Sequence, residues 1–483
     1  MGDGTGEKVG FDTRSSVALT AVGGGGGAGY FALPSVRQAL RCVLPMSAEI
    51  LDQLRAGDLP GITRLDLSSD LTTVPEEIRT LSDSLEILNL SNNRLTDLPD
   101  WLPELKKLRV VFCSNNLFRH VPGILGQCRA LDMIGFKSCQ LDTIPADALP
   151  PSLRWLILTD NRLTEIPQEL GFCPRLQKLM LSGNRLTALP PELAMCRNLE
   201  LLRLAANQFT SFPDWLWNLP SLAWLAIAGN PCTQTASLPD KSILEIPWNE
   251  LTMGPLLGEG ASGLIHQARW TPGPRQLPQD VAVKLFKGAM TSDGLPASEM
   301  AACLAVGRHP QCVGAIAKIT GHPGKTEGLV MPLLDPRYRP LAGPPSWQTC
   351  TRDVYAADWQ ISAGHALDLM VQIATAAAHV HSMGFLHGDL YAHNVLHSPD
   401  GEAMLSDFGA ASCYPPGDPD KIERIEVRAL GILIQEILEN CAGQSALPRS
   451  VCALPAFCMQ PDVSARPGFR SITEMLGAGS DKC

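Results

Sequence analysis

The sequence predicts a multidomain protein in which an α/β solenoid of short repeats is followed by a domain of α+β patterning. Three observations support this fold class. The chain has 483 residues, more than a single hydrophobic core usually organises. Leucines recur every 22 or 23 residues between Leu85 and Leu222. After Asn230 this spacing ends, and beyond residue 247 glycine-rich, β-branched and charged motifs replace it.

Composition limits the classes of function. The formal net charge is −10 and no Lys/Arg-rich block occurs, so the basic surface of a nucleic-acid binder is missing. No apolar run reaches the roughly 18 to 20 residues that a membrane-spanning helix needs. Cysteines such as Cys113, Cys303 and Cys458 lie among apolar residues and no secretory segment begins the chain. We therefore expect reduced thiols and a cytoplasmic location.

Residues 1–45 include five consecutive glycines and show no periodic apolar face. Glycine loses more conformational freedom on ordering than any other residue, so the segment is predicted to be disordered. Two further interpretations stay open: a weak targeting peptide, or a start assigned too far upstream, because Met46 opens the first stretch with helical spacing.

Residues 46–230 form the predicted repeat domain. One unit contains its apolar and amide positions in this order: Leu85, Leu88, Leu90, Asn93 and Leu95. In a short strand these leucines face one side, where stacked units bury them, and the asparagine satisfies backbone groups at the following bend. The pattern resembles the leucine-rich-repeat family in its 23-residue class. Cys139 stands at the asparagine position of one unit, a substitution that the ladder is expected to tolerate.

The strand positions between the leucines should line the concave face, and they are unusually apolar around Phe112, Trp155 and Met180. An exposed apolar patch of this size usually marks a contact surface. This predicts a groove for a protein partner or substrate. The alternative is that the N-terminal segment or the second domain covers the face.

Residues 231–247 form the predicted linker and residues 248–483 the second domain. The linker is short and contains the apolar residues Ile243, Leu244 and Ile246. Such a connection is unsuited to a flexible tether, so the two domains should be docked.

The second domain opens with a G-x-G-x-x-G stretch at Gly258, Gly260 and Gly263. Glycines let backbone N–H groups approach phosphate oxygens, although this spacing also occurs in plain turns. Lys284 then ends a β-branched run that should form a buried strand. Glu299, in a stretch with helical propensity, could pair with the Lys284 ammonium.

Further along, Asp389 and Asn394 stand five residues apart, and Asp407 opens an Asp-Phe-Gly motif. Asp389 could accept the proton of an attacking hydroxyl, and Asn394 and Asp407 offer the oxygen ligands that Mg²⁺ prefers. These elements occur in the order and at the separations found in the protein kinase family, which residues 248–478 resemble.

The resemblance implies a two-lobed domain with ATP between the lobes. Gly258, Gly260 and Gly263 would cover the phosphates, and Lys284 would contact them with Glu299 behind it. Asp389 would be the catalytic base, and Asn394 and Asp407 the Mg²⁺ ligands. The adenine pocket would comprise Ile265, Ala282 and Leu396 around the base, Met331 at the back, and a hinge over 332–334 that includes Leu333.

The sequence departs from the family at three places. Gly388 replaces the common arginine, Tyr391 replaces the lysine of serine/threonine-specific members, and only sixteen residues separate Gly409 from Glu426, with no Ala-Pro-Glu motif. Phosphate-switched activation is therefore not expected, and the peptide-docking platform should be reduced. Without that motif, Arg466 should pair with Glu423 or Glu426.

These features together predict a protein kinase, with serine or threonine favoured over tyrosine as acceptor, whose repeats recruit a partner or substrate. In domain order the chain resembles bacterial cytoplasmic leucine-rich-repeat kinases. One alternative is an ATP-binding pseudokinase scaffold that acts through its repeats. Another is phosphorylation of a small molecule, which needs no peptide platform.

Overall fold

The computed structural model describes residues 49–233 and 243–480, except for residues 261, 272–278, 289 and 292. The predicted N-terminal disordered segment lies outside the described residues, as does the middle of the predicted linker. Among the helices that the structure describes, none combines the length and the apolar character needed to cross a bilayer.

The solenoid begins with helix α1, which covers residues 49–56. Its sheet then contains eight parallel three-residue strands in sequence order: β1 Arg64–Asp66, β2 Ile87–Asn89, β3 Val110–Phe112, β4 Met133–Gly135, β5 Trp155–Ile157, β6 Lys178–Met180, β7 Leu201–Arg203 and β8 Trp224–Ala226. Each strand is followed by a 3₁₀ helix: Glu76–Leu81, Leu102–Glu104, Gly123–Gln127, Ala146–Ala148, Gln168–Phe172, Pro191–Met195, Asp214–Asn218 and Pro231–Thr233.

Two features of the repeat hold the solenoid together. The repeated leucines are buried in one continuous core, as the alternation predicts. The asparagines connect neighbouring units: Asn161 Nδ2 donates to Phe136 O at 2.8 Å, and its Oδ1 accepts from Leu141 N at 2.9 Å. At the exceptional position, Cys139 Sγ donates to Cys113 O at 3.1 Å, so the thiol replaces part of the asparagine's bonding.

The upper lobe of the second domain is a six-stranded sheet in the order β10-β11-β12-β14-β13-β9. Its elements are β9 Glu245–Pro247, β10 Leu251–Glu259, β11 Gly263–Trp270, β12 Asp280–Phe286, helix α2 Pro296–Val306, β13 Ala317–Thr320 and β14 Gly328–Pro332. Strand β9 pairs in parallel with β13. The structure therefore differs from the sequence boundary at 247, because the end of the predicted linker is already part of this sheet.

The lower lobe is mainly helical. Its helices are α3 Ala363–Ser382, α4 Pro419–Glu439, α5 Arg449–Cys458 and α6 Phe469–Ser480. Short strands connect them: β15 Arg339–Pro340, β16 Ile361–Ser362, β17 Phe385–Leu386, β18 Val395–His397, β19 Ala403–Leu405, β20 Ser412–Cys413 and β21 Cys441–Ala442.

The two domains share their cores. Leu201, Ala223 and Trp224 of the solenoid are buried among residues of the lower lobe. In return, the lower-lobe residues Leu386, Ile422 and Ile425 belong to the solenoid core. The domains are docked, as the short linker predicts, and their contact buries apolar residues of both.

The concave patch around Phe112, Trp155 and Met180 requires a correction. Trp347 and Cys350 of the second domain pack on this patch, and Arg154 Nη2 donates to Trp347 O at 2.5 Å. The segment after the upper lobe thus takes the place that the sequence assigned to an external partner. The alternative prediction, that the second domain covers the concave face, agrees with the structure, because Trp347 and Cys350 of the same chain pack on the apolar strands.

Candidate active site

A cleft of about 690 Å³ lies between the two lobes of the second domain. Its walls bring together nine of the residues singled out in the sequence: Ile265, Ala282, Lys284, Glu299, Met331, Leu333, Asn394, Leu396 and Asp407. The lining combines apolar side chains with the charged or polar groups of Lys284, Glu299, Asn394 and Asp407, a combination suited to a ligand with a flat apolar part and an anionic part.

Gly258, Gly260 and Gly263 lie in the hairpin of β10 and β11 at the cleft's edge. Gly258 pairs with Ile265, and Gly260 N donates to Gly263 O at 2.9 Å across the turn. A Cβ at residue 263 would lie 2.5 Å from Leu285 O. Glycine is therefore required at residue 263 for the hairpin to pack closely on β12.

Lys284 and Glu299 form a buried ion pair that joins β12 to α2. Burial lowers the pKa of Lys284, but the carboxylates of Glu299 and Asp407 outweigh this effect and raise it above its ordinary value. Lys284 therefore stays charged. Glu299 Oε2 has no hydrogen-bond partner among the described residues.

Asp407 adopts a left-handed backbone conformation, with φ of 56°. Non-glycine residues in this region are strained and concentrate at functional sites. The Gly409 N–H donates to Asp407 Oδ1 at 3.1 Å and fixes the carboxylate. Burial and the nearby carboxylates of Glu299 and Asp389 raise the pKa of Asp407 to about 6, although the Lys284 ammonium acts in the opposite direction. A bound cation would further favour the charged form of Asp407.

Asn394 connects this acidic cluster to Asp389. Its Nδ2 donates to Asp389 O at 2.8 Å and to Asp389 Oδ2 at 2.9 Å. Its Oδ1 is buried and has no partner in the described part of the chain. An unpartnered amide oxygen beside a carboxylate of raised pKa matches the donor set that Mg²⁺ prefers. The residues present therefore fit a divalent cation.

The loop that carries Asp389 is anchored from α4. Glu426 accepts hydrogen bonds from His387 N at 3.0 Å and from Gly388 N at 2.6 Å. Gly388 has a φ of 77°, and a Cβ there would lie 2.6 Å from Ala410 O and 2.8 Å from Leu225 O. The absence of arginine at residue 388 thus has a local cause, since strand β8 of the solenoid occupies the space a side chain would need.

Arg203 of β7 is the site residue that sequence reasoning missed. Its Nη2 forms an ion pair with Asp389 Oδ1, its Nη1 donates to Gly388 O at 2.7 Å, and its Nε donates to Asp293 Oδ1 at 3.0 Å. Burial raises the pKa of Asp389, but the Arg203 charge outweighs this and lowers it. The available signal was a lone arginine at a strand position that is apolar in the two preceding repeats, Ile157 and Met180.

The expected pairing of Arg466 with Glu423 or Glu426 is wrong. Arg466 instead donates to three backbone carbonyls: Gln460 O, Arg424 O and Pro220 O. Glu426 is held by the Asp389 loop and by His381. One of the three carbonyls, Pro220 O, belongs to the solenoid. The sequence motifs of the second domain alone could not predict this partner of Arg466.

Comparison with known families assigns residues 251–423 to protein tyrosine and serine/threonine kinases. Leucine-rich-repeat families match residues 83–121, 151–194 and 174–231.

Individual relatives match between a third and a half of the chain at low identity. CBL-interacting protein kinase 22 of Oryza sativa subsp. japonica is 27% identical over 175 residues, 33% of this chain and 36% of that protein. Fibroblast growth factor receptor 1 of Xenopus laevis is 25% identical over 186 residues, which are 36% of this chain and 22% of that protein. Megakaryocyte-associated tyrosine-protein kinase of Mus musculus is 22% identical over 293 residues, and the match covers 50% of this chain and 53% of that protein.

The chain spans between about a fifth and about half of the length of these curated relatives. Together with the repeat geometry and the cleft, the comparisons identify the architecture. The chain consists of leucine-rich repeats followed by a domain of the protein tyrosine and serine/threonine kinase family.

Proposed function

We propose that the protein is a kinase that transfers the γ-phosphoryl group of ATP to a protein hydroxyl, with serine or threonine favoured over tyrosine. One observation carries the proposal. The Lys284–Glu299 ion pair, the Asp407 carboxylate and the unpartnered Asn394 oxygen meet in one cleft. A structural ion pair alone would not need the two oxygen donors beside it.

The apolar part of the lining suits adenine. Ile265 and Ala282 belong to strands of the upper lobe and Leu396 to a strand of the lower lobe, so they would lie on opposite faces of the base, with Met331 at the back. The backbone near Leu333 would face the edge of the base. Gly258, Gly260 and Gly263 would cover the triphosphate, and the Lys284 ammonium would bind it while Glu299 holds the lysine in place.

Asn394 and Asp407 are the residues that would hold Mg²⁺. When bound, the ion offsets the negative charge of the phosphates and of the buried carboxylates. The Asn394 amide also hydrogen-bonds Asp389 through its NH₂ group. The same side chain would therefore fix the base relative to the ion.

Asp389 is proposed as the general base. The acceptor hydroxyl oxygen forms a bond to the γ-phosphorus while the bond from that phosphorus to the bridging oxygen breaks, which releases ADP. The hydroxyl proton passes to the Asp389 carboxylate. For this step the acceptor must come within hydrogen-bond distance of an Asp389 oxygen.

A second candidate is an ATP-binding pseudokinase scaffold that acts through its repeats. The short segment between Gly409 and α4 supports it, because little chain remains to bind a peptide. Phosphorylation of a small molecule would also tolerate a reduced platform. We keep recruitment of a protein by the repeats, and a cytoplasmic location, as parts of the proposal; the buried free thiols of Cys113, Cys303 and Cys458 support the latter.

The proposal is tested with purified full-length protein, Mg²⁺ and ATP labelled at the γ-phosphate, using autophosphorylation and a generic protein acceptor as readouts. We expect transfer by the wild type and its loss in Asp389→Asn, with nucleotide binding retained in both. Nucleotide binding without any transfer, both in the wild type and in a variant that lacks the Arg203–Asp389 ion pair, would instead support the scaffold.

A further inference from the structure

The solenoid contacts the one carboxylate that the proposed reaction needs free. Asp389 Oδ1 is paired with Arg203, and Asp389 Oδ2 accepts from Asn394 Nδ2. The Asp389 side chain is only 14% exposed to solvent, and the Arg203 side chain is 2% exposed. A hydroxyl approaching Asp389 would meet the guanidinium first.

We propose that Arg203 is an autoinhibitory latch, a side chain of the repeat domain that occupies the acceptor position on Asp389 and must leave it before phosphoryl transfer. The inference rests on the proposed kinase function and adds a form of regulation to it. A latch of this kind needs no activation-loop phosphate, in keeping with glycine at residue 388.

The contacts around Arg203 extend the cover over the acceptor side. Trp224 stacks on Tyr391 with ring centroids 4.1 Å apart and an interplanar angle of 4°, and its Nε1 donates to Leu390 O at 3.0 Å. Ser412 Oγ, beyond the Asp-Phe-Gly motif, accepts from Ile227 N at 2.9 Å. The solenoid thus binds both the loop of the base and the segment on which a peptide would rest.

The nucleotide side of the same cleft is not closed. Lys284 and Glu299 are paired, and Asn394 Oδ1 has no partner in the described chain. Inhibition by disassembly of the nucleotide site would separate Lys284 from Glu299. Here that pair is intact, so the geometry points to a device that blocks the acceptor and leaves the nucleotide site assembled.

Release has to be local. Trp224, Leu201 and the lower-lobe residues Ile422 and Ile425 are buried in the shared cores. Separation of the domains would expose all of them to water, which is equivalent to opening a domain interior. Movement of the Arg203 side chain breaks only three polar contacts with the catalytic loop and Asp293.

The test replaces Arg203 with a side chain of similar length that carries no charge. Arg203→Met is expected to raise phosphoryl transfer at least ten-fold over wild type, with nucleotide affinity unchanged. Arg185→Ala is the control, because Arg185 is an exposed arginine of the neighbouring repeat, and it should transfer like wild type. Thermal unfolding of each full-length variant shows whether it is folded.

Asp293→Asn provides a second route to the same result. Asp293 accepts from Arg203 Nε and steadies the guanidinium, so this variant should raise transfer by a smaller factor, about two- to five-fold. If Arg203→Met does not fold, the Asp293 variant decides, and an unchanged rate overturns the latch.

The outcomes separate the latch from the function on which it rests. If the wild type transfers phosphate and Arg203→Met transfers equally or less, the latch is rejected while the kinase proposal stands. If no variant transfers phosphate although all bind nucleotide, both proposals are rejected.

Discussion

The two sides of the cleft differ in which domain completes them. On the nucleotide side, every charged group comes from the second domain, and two oxygen atoms of Glu299 and Asn394 remain without partners in the described chain. On the acceptor side, Asp389 is paired with Arg203 of the solenoid. If the proposed kinase function holds, nucleotide binding and acceptor access can be controlled separately, because different domains supply the contacts on the two sides.

The largest effect should follow from breaking the nucleotide side. Lys284→Met is expected to lower phosphoryl transfer by about 10³-fold or more, because the phosphates lose their buried cation. The variant also leaves Glu299 as an unpaired buried charge, which costs about 3–5 kcal/mol of stability. Transfer assays and chemical denaturation measure the two effects.

The double variant Lys284→Met/Glu299→Leu serves as the control. Replacing both members of a buried ion pair by apolar groups is often close to neutral for folding, so stability should return while transfer stays lost. Recovery of transfer in the double variant would contradict the assigned role of Lys284.

The acceptor side should be the more sensitive to loss of packing. Trp224→Ala is expected to lower the free energy of unfolding by about 3–5 kcal/mol, because Trp224 is buried in the lower-lobe core and stacks on Tyr391. Calorimetry should show one transition for the wild type, since the domains share their cores. Phe172→Ala, at an exposed phenylalanine of the solenoid, should change stability by less than about 0.5 kcal/mol. Two separate transitions in the wild type would contradict the shared core.

A buried cation on the acceptor side predicts a pH-dependent effect. Lys178 lies over the Trp155 ring at 4.1 Å, and burial lowers its pKa to about 8, with Arg203 acting in the same direction. Because this pKa is below the ordinary 10.5, the lysine destabilises the folded state fully below pH 8. That penalty disappears as pH rises towards the unfolded value.

Lys178→Met should therefore stabilise the protein at pH 7 by about 1–3 kcal/mol, and the gain should shrink between pH 8 and 10.5. Denaturation across this range measures it. Lys106→Met, at an exposed lysine, should show no such trend. A gain that does not vary with pH would mean that packing rather than charge is responsible.

The smallest expected effect isolates the contact between the Asp389 loop and the solenoid. Gly388 and Gly443 have φ of 77° and 81°, so alanine at either position costs about 1–2 kcal/mol of backbone strain. Only at residue 388 would the added Cβ also meet backbone oxygens, whereas nothing lies within 4 Å of it at residue 443. Gly388→Ala should be the more destabilising in parallel denaturation curves, and equal losses would contradict the close approach of β8.

The parts of the molecule that follow from short stretches of chain were predictable. The repeat spacing places each strand, and the residues that line the cleft between the lobes follow from motifs whose geometry is set by one hairpin, one strand and one loop. Local patterns determine these elements because their hydrogen bonds lie within the same domain or between adjacent repeats.

The contacts between domains were not predictable from patterns of this kind. Arg203 and Asp389 are 186 residues apart, and their pairing depends on how two complete surfaces fit. The same reason accounts for the error at Arg466, whose third partner is a solenoid carbonyl, and for the cover over Trp155. Gly388 was noticed as a departure from the family, but its cause became visible only beside Leu225 of β8.

The shared core also bears on how the protein is synthesised. Leu201 and Trp224 leave the ribosome well before the lower-lobe helices that bury them. The nascent chain therefore exposes an apolar surface until the second domain has been synthesised. We expect nascent chains halted before α4 to depend on chaperones and to be cleaved readily by proteases, whereas finished chains resist both.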